Sequence, residues 1–370
     1  MGEIVYVGLM IVIAGIIALE LRIPVSILEI IFGVIAFNLL GLQTNELIDF
    51  MANVGILGIM FFAGLEINPD ILKRWLGRSL FFGSVIYVSR LLIIFIVSLF
   101  LFGFGFLSAL LISVSLSTTS LALVYPIIKE RGTIGEVHGQ MILSIAMIID
   151  LLSMLSLLLF VKPEYETYLF VYVIIALVLF YCAPKITRSI FSRYGENIAE
   201  IEVRFVLLFL VAAGFFAEKL MISEVIFAFF LGMIFSEILV DRKDVESKLR
   251  GIIFGFLAPV FFFKAGMLMD IRHLNWSIIS FIIIFGSLAY LSVYIITRIT
   301  FSKWFNSEIG KCAGLIFNFR LSFGIIAAIF GLRMGLITVD IYTGIVIIIL
   351  LASIASSIAL RFVPPPELVE

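Results

Sequence analysis

Apolar residues along this chain run together in long blocks, and short polar stretches between the blocks carry most of the charge. A block of about 18 or more apolar residues with almost no charge reads as a membrane-spanning helix. Dividing the chain at its charged, Pro-containing and Gly/Asn-containing stretches predicts about 13 such segments, at about 20 residues each. They cover 4–21, 25–41, 47–66, 79–103, 105–128, 136–161, 167–184, 202–218, 222–240, 251–270, 276–301, 309–332 and 338–361. The connections are short. A single membrane domain is expected over 1–363, with a short tail over 364–370 that opens on Pro364-Pro365-Pro366-Glu367, where no regulatory nucleotide-binding domain follows. Met1-Gly2-Glu3 has no basic stretch ahead of its apolar run, so that run is expected to be a retained first helix and not a cleaved signal.

Composition agrees with an all-α polytopic membrane protein. Of 370 residues, 63% are apolar and 14% charged, with Phe alone at 38; an ordinary soluble domain has roughly 45–50% and about 25%. A net charge of −1 points to no nucleic-acid partner. Cys182 and Cys312 lie far apart, with neither the number nor the spacing of a disulfide framework or metal site. His138 and His273 fall in predicted loops and form no ligand cluster. Without a metal-binding His pair, a nucleophile beside a base or a Gly-rich phosphate loop, enzyme readings fare badly and no cofactor is expected.

Basic residues orient the bundle. Loops after odd-numbered segments, with the tail, hold Arg22, Lys73, Arg74, Arg78, Lys129, Arg131, Lys185, Arg188, Arg193, Arg242, Lys243, Lys248, Arg250, Lys303, Lys311 and Arg361. Loops after even-numbered segments hold only Lys162, Lys219, Arg272 and Arg333. This asymmetry predicts a cytoplasmic C-terminus and an N-terminus outside, as an odd number of spans requires.

Two segments are interrupted by unusual residues in mid-span: the fifth by Ser117-Thr118-Thr119-Ser120 and the tenth by Lys264-Ala265-Gly266. An offset of five inverts topology, so the pair predicts inverted repeats carrying two discontinuous helices. Broken helices in corresponding positions are the best sequence pointer to a transport site at mid-membrane.

A charge in hydrocarbon costs about 2.5–3.5 kcal/mol on insertion scales, so each needs a reason to be there. Asp150 sits near the middle of an apolar helix, between Ser144 and Ser153. A buried carboxylate there binds a proton or a cation in competition, the minimal physics of exchange; the blander alternative is a packing hydrogen bond from a protonated acid. The hydroxyls and carbonyls of Ser117, Thr118, Thr119 and Ser120 are hard oxygen ligands suited to Na⁺ or K⁺, unless the hydroxyls merely bond back to the preceding turn. Lys264 is read as a charge that neutralises a helix break or pairs with Asp150, against the alternative of snorkelling. Arg320 and Arg298 are weaker candidates. Arg90 and Glu29 are mid-span charges whose partners the sequence does not name, and Glu66 reads as structural.

Taken together, these blocks resemble the monovalent cation/proton antiporter superfamily, in its second, bacterial and archaeal branch. The resemblance rests on Arg22-Ile23-Pro24, Phe62-Ala63-Gly64-Leu65-Glu66, Ser117-Thr118-Thr119-Ser120 followed by Lys129-Glu130-Arg131-Gly132, Phe227-Ala228-Phe229-Phe230-Leu231-Gly232, and Phe261 through Asp270. Any one block is weak; five in order along nearly the whole chain are specific. The resemblance implies a homodimer, a transport core around 79–161 and 251–332 that carries the ion by elevator-like motion, and the acid after the unwound helix, here Asp150, as ion carrier. Two positions depart from the family pattern. Ile149 stands where a polar residue usually precedes the carrier, which favours one-for-one exchange, and Lys264 stands where a small or apolar residue is usual. The basic residue of the next helix is expected at Arg298.

The resulting expectation is exchange of Na⁺ for H⁺ across the cytoplasmic membrane, with Asp150, Ser117, Thr118 and Thr119 holding the ion and Lys264, Arg298 and Arg320 tuning it. K⁺/H⁺ exchange or K⁺ efflux is the near alternative, and Li⁺ is not distinguished from Na⁺. A Na⁺-coupled organic-solute symporter is the competitor from another class. It would present more polar side chains around the helix breaks.

Overall fold

The structure, a computed structural model, describes residues 2–66, 69–133, 136–157, 200–219, 224–239, 242–272 and 274–363, with a few positions between 160 and 193. The seventh predicted segment, Cys182, His273 and the 364–370 tail lie outside the described residues. Among the described residues every regular element is helical: α1 (Gly2–Leu21), α2 (Val25–Asn38), α3 (Glu46–Leu65), α4 (Pro69–Phe100), α5 (Phe106–Ser117), α6 (Leu121–Glu130), α7 (Val137–Leu157), α8 (Ile201–Lys219), α9 (Glu224–Leu239), α10 (Lys243–Ile252), a π-helical turn (Ile253–Leu257), α11 (Ala258–Met267), α12 (Trp276–Trp304), α13 (Ser307–Ile316), α14 (Leu321–Arg333) and α15 (Val339–Leu360). Eight helical stretches among these residues are long and apolar enough to cross a membrane, and shorter apolar helices accompany them.

Polar punctuation sets several of the starts. Asn45, Asn275 and Asn306 each accept the backbone N–H three residues on, from Ile48, Ile278 and Ile309, at 3.0, 3.0 and 2.8 Å. Each side chain thereby satisfies one amide that the helix cannot pair internally, which matters most where lipid cannot supply a partner.

The chain divides into two compact units. One comprises residues 44–68 and 160–264. Within it α3 and α9 lie backbone to backbone: a Cβ on Gly64 would run into the Phe229 carbonyl, and one on Gly232 into that of Phe61. Phe61 packs edge-on against Phe235 at 5.7 Å, beside that contact. The π-helical turn precedes Pro259, which has no N–H to give and crowds the carbonyl four residues back, so widening the turn absorbs the misfit.

The other unit comprises residues 1–43, 69–159 and 265–370. Here α4 packs on α7, α5 on α14, and α12 on α13. Gly83 of α4 lies against Ile148 of α7, and the Tyr87 hydroxyl is 2.8 Å from that of Ser156 across the same pair.

One of the two expected helix breaks is where the sequence put it; the other is not. Thr118, Thr119 and Ser120 separate α5 from α6, with Thr118 and Ser120 both extended. In contrast, α11 runs unbroken through Lys264, Ala265 and Gly266. Gly266 is a packing glycine and not a breaker: a Cβ there would collide with the Ile30 carbonyl of α2. The second break falls in the twelfth predicted segment, at Phe317-Asn318-Phe319-Arg320 between α13 and α14. The offset between broken segments is therefore seven, not five.

Candidate ion-binding site

The two breaks meet. Thr119 Oγ1 donates to the Phe319 carbonyl at 3.2 Å, and the Ser120 and Ser322 hydroxyls lie 2.8 Å apart. Gly324, in the first turn of α14, permits the approach, because a Cβ there would sit 2.8 Å from the Ser115 carbonyl oxygen. Ser117, Thr118, Thr119, Ser120, Asn318 and Arg320 are all buried. The interruption of each helix is thus sealed by protein, the condition under which irregular backbone survives at membrane depth.

Breaking a helix leaves carbonyls unpaired at one end and amides at the other, with partial charges of about half an electron each. The side chains around α5 and α6 answer both. At the C-terminal end of α5, Arg90 of α4 donates through Nη2 to the carbonyl of Ser117 and, at 2.6 Å, to that of Thr118. Arg320 donates through Nη1 to the Leu116 carbonyl at 3.1 Å and through Nη2 to that of Ala289 at 3.2 Å, and also reaches the Asn318 side-chain oxygen. At the N-terminal end of α6, Asp150 of α7 accepts the Leu121 N–H on Oδ2 at 3.1 Å. Cations meet the negative helix end and the anion meets the positive one.

Asp150 is 7% exposed, while Ile149 beside it is fully buried with no titratable atom. The hydroxyls expected as ligands divide by role. Thr118 bonds back to the Ser115 carbonyl at 3.5 Å, Thr119 bridges to the second break, and Ser117 Oγ has no partner among the described residues. The carbonyls of residues 116–118 already face guanidinium donors, so the oxygens available to a cation are chiefly side-chain ones.

The two other expected tuning charges have neighbours of their own. Lys264 forms an ion pair with Asp49 of α3 at 2.7 Å, within the smaller unit. Arg298 is exposed on α12, where a long cationic side chain is free to snorkel, and does not join the cluster at the breaks. The basic residues at the site are Arg320, read as a weak candidate, and Arg90, read only as a charge of unknown partner. Arg90 was detectable from its mid-span position alone; its target, two backbone carbonyls, has no sequence signal. Of the remaining intramembrane acids, Glu66 pairs with Arg250 at 3.4 Å and Glu29 is buried in α2.

A buried acid beside two meeting helix breaks in an all-helical membrane protein defines the class of secondary transporters. Within that class, the chain belongs to the sodium/hydrogen exchanger family, whose transmembrane model matches residues 8–363. It is 28% identical over 356 residues to a probable Na⁺/H⁺ antiporter of Methanocaldococcus jannaschii, covering 92% of this chain and 89% of that one. It is 25% identical over 281 residues to the K⁺/H⁺ antiporter subunit KhtU of Bacillus subtilis, covering 70% and 68%. In fold it is similar to the sodium proton antiporter MjNhaP1 of M. jannaschii, with a TM-score of 0.69 over 99% of both chains at 18% identity. The family is one of transporters and not enzymes, and it needs no cofactor; the ions are its substrates.

Proposed function

We propose that the protein exchanges Na⁺ for H⁺, one for one, across the cytoplasmic membrane, with Asp150 as the shared carrier. The observation that supports this reading best is the Asp150 carboxylate, buried at the mouth of α6 and oriented there by the Leu121 amide. A carboxylate in that position holds a proton or a cation, and occupancy by one excludes the other. Ser117, Thr118 and Thr119 supply hydroxyl oxygens on the facing end of α5; a hydroxyl that donates its proton to a carbonyl still offers lone pairs to Na⁺. One titratable group at this position, with Ile149 beside it, supports equal exchange of single charges.

Family membership and the resemblance noted above support a homodimer in the lipid bilayer. The distribution of basic residues supports a cytoplasmic C-terminus and an N-terminus outside. Similarity to a K⁺/H⁺ antiporter subunit favours K⁺ as the second reading for the transported cation.

The test uses purified protein in liposomes with an internal pH dye and an imposed pH gradient. Na⁺, Li⁺ or K⁺ is added to wild type and Asp150→Asn, with and without a membrane-potential clamp. Cation-dependent proton movement that is lost in Asp150→Asn supports antiport, and insensitivity to the clamp supports the one-for-one ratio. Absence of a response to every cation would sink the antiport reading.

A further inference from the structure

Arg90 and Arg320 are both fully buried, at 0% exposed, and neither has an acidic partner among the described residues. Their hydrogen bonds run to neutral acceptors: backbone carbonyls and the Asn318 amide oxygen. Among the described residues three of their nitrogens have no partner, Nε and Nη1 of Arg90 and Nε of Arg320. A buried donor left unpaired costs about 1–3 kcal/mol, and more when it carries charge. Both guanidiniums reach successive carbonyls of one helical turn, Leu116 through Thr118, so the unpaired donors belong to one cluster.

The charges there do not balance. The ends of α5 and α13 carry about half a negative charge each, and the starts of α6 and α14 about half a positive charge each. These cancel, leaving, among the described residues, two guanidiniums against the one carboxylate of Asp150. The break therefore carries about one excess positive charge before any cation arrives, an unfavourable field for a cation carrier.

We infer that Arg90 and Arg320 hold a small monovalent anion of the halide type on their unpaired N–H groups, as a resident counter-ion to the transport site. An excess of one charge selects a monovalent species, and the full burial of both side chains selects a small one. Buried N–H donors that no carboxylate pairs with are the chemistry that binds chloride. With the anion in place the excess is cancelled, and Na⁺ approaches Asp150 without net repulsion. This goes beyond the antiport reading, since it concerns a site that neither Na⁺ nor H⁺ occupies.

The probe is chloride itself, titrated into purified protein in a gluconate background and followed by the ³⁵Cl NMR line width. Saturable broadening in wild type that is abolished in Arg90→Gln is the expected result. In liposomes, replacing chloride by gluconate on both sides is expected to raise the apparent KM for Na⁺ on the order of tenfold, as removal of one nearby charge in a medium of intermediate dielectric would. Should Arg90→Gln fail to fold, crystals of wild type grown in bromide answer the same question, with an anomalous peak expected within hydrogen-bonding distance of Arg90. No saturable broadening in wild type, or equal broadening in folded Arg90→Gln, would overturn the inference. Line width reports the halide directly, so a protein that binds chloride without exchanging Na⁺ would count against antiport alone.

Discussion

Asp150 Oδ2 lies 3.1 Å from the backbone nitrogen of Leu121, the first residue of α6. An acid on one helix thereby caps the interrupted start of another, where that amide and the helix dipole both favour its charge. On the function proposed above, a proton or a cation arriving at Asp150 would compete with that amide for the carboxylate. If Asp150 is the carrier proposed above, its occupancy would be felt directly by the backbone of the broken helix, while Arg90 and Arg320 hold the other side of the gap.

Removing only that amide tests the coupling. Leu121→Pro deletes the N–H while keeping a residue type that suits the first position of a helix, and Ser120 already has the extended backbone required ahead of Pro. The charged carboxylate loses a donor, so protons compete better with Na⁺. The pH giving half-maximal exchange is expected to move to the alkaline side, with maximal rate reduced less than in Asp150→Asn. An unchanged pH profile in a folded variant would show that the amide does not act on the carrier.

Gly324→Ala places a methyl group against the Ser115 carbonyl where α5 and α14 meet. Overpacking of this kind costs about 1–3 kcal/mol. A lower melting temperature in detergent and impaired exchange are expected together, whereas Gly77→Ala, with open space around it, should leave both unchanged.

The hydroxyl pair Ser120–Ser322 joins the two breaks at 2.8 Å. In a double-mutant cycle with alanine at both positions, a coupling of about 0.5–1.5 kcal/mol is expected, the usual net worth of one buried hydrogen bond. Additive effects on thermal stability would show that the breaks are held by backbone contacts alone.

Lys264 bears on the site only if its charge is felt beyond Asp49. The pair is partly exposed, so breaking it is expected to change stability by less than about 1 kcal/mol. Lys264→Met and Asp49→Asn should then resemble each other, with the double variant no worse than either, and Na⁺ KM should stay near wild type. A shift of the pH profile in Lys264→Met but not in Asp49→Asn would restore Lys264 as a tuning charge.

The chain's own pattern determined the membrane class, the limits of most spans, the first helix break and the presence of an acid, Asp150, within an apolar span. Those features are local: lipid demands long apolar runs, so four hydroxyl residues in a row or a lone acid within one stand out against a uniform background. What the tertiary structure alone decided is which charges share the site. Lys264 and Gly266 have the local look of a break, yet one meets Asp49 and the other makes room for the backbone of α2. Phe317-Asn318-Phe319-Arg320 has no Gly or Pro to announce its unwinding; what holds it lies far away in sequence, with Thr119 donating to the Phe319 carbonyl and the Arg320 side chain donating to the carbonyls of Leu116 and Ala289. Arg90 likewise serves two carbonyls of another helix. Backbone carbonyls are alike at every residue, so nothing in the sequence marks the ones that a buried arginine will reach. Only the packing of α4, α5, α13 and α14 selects them.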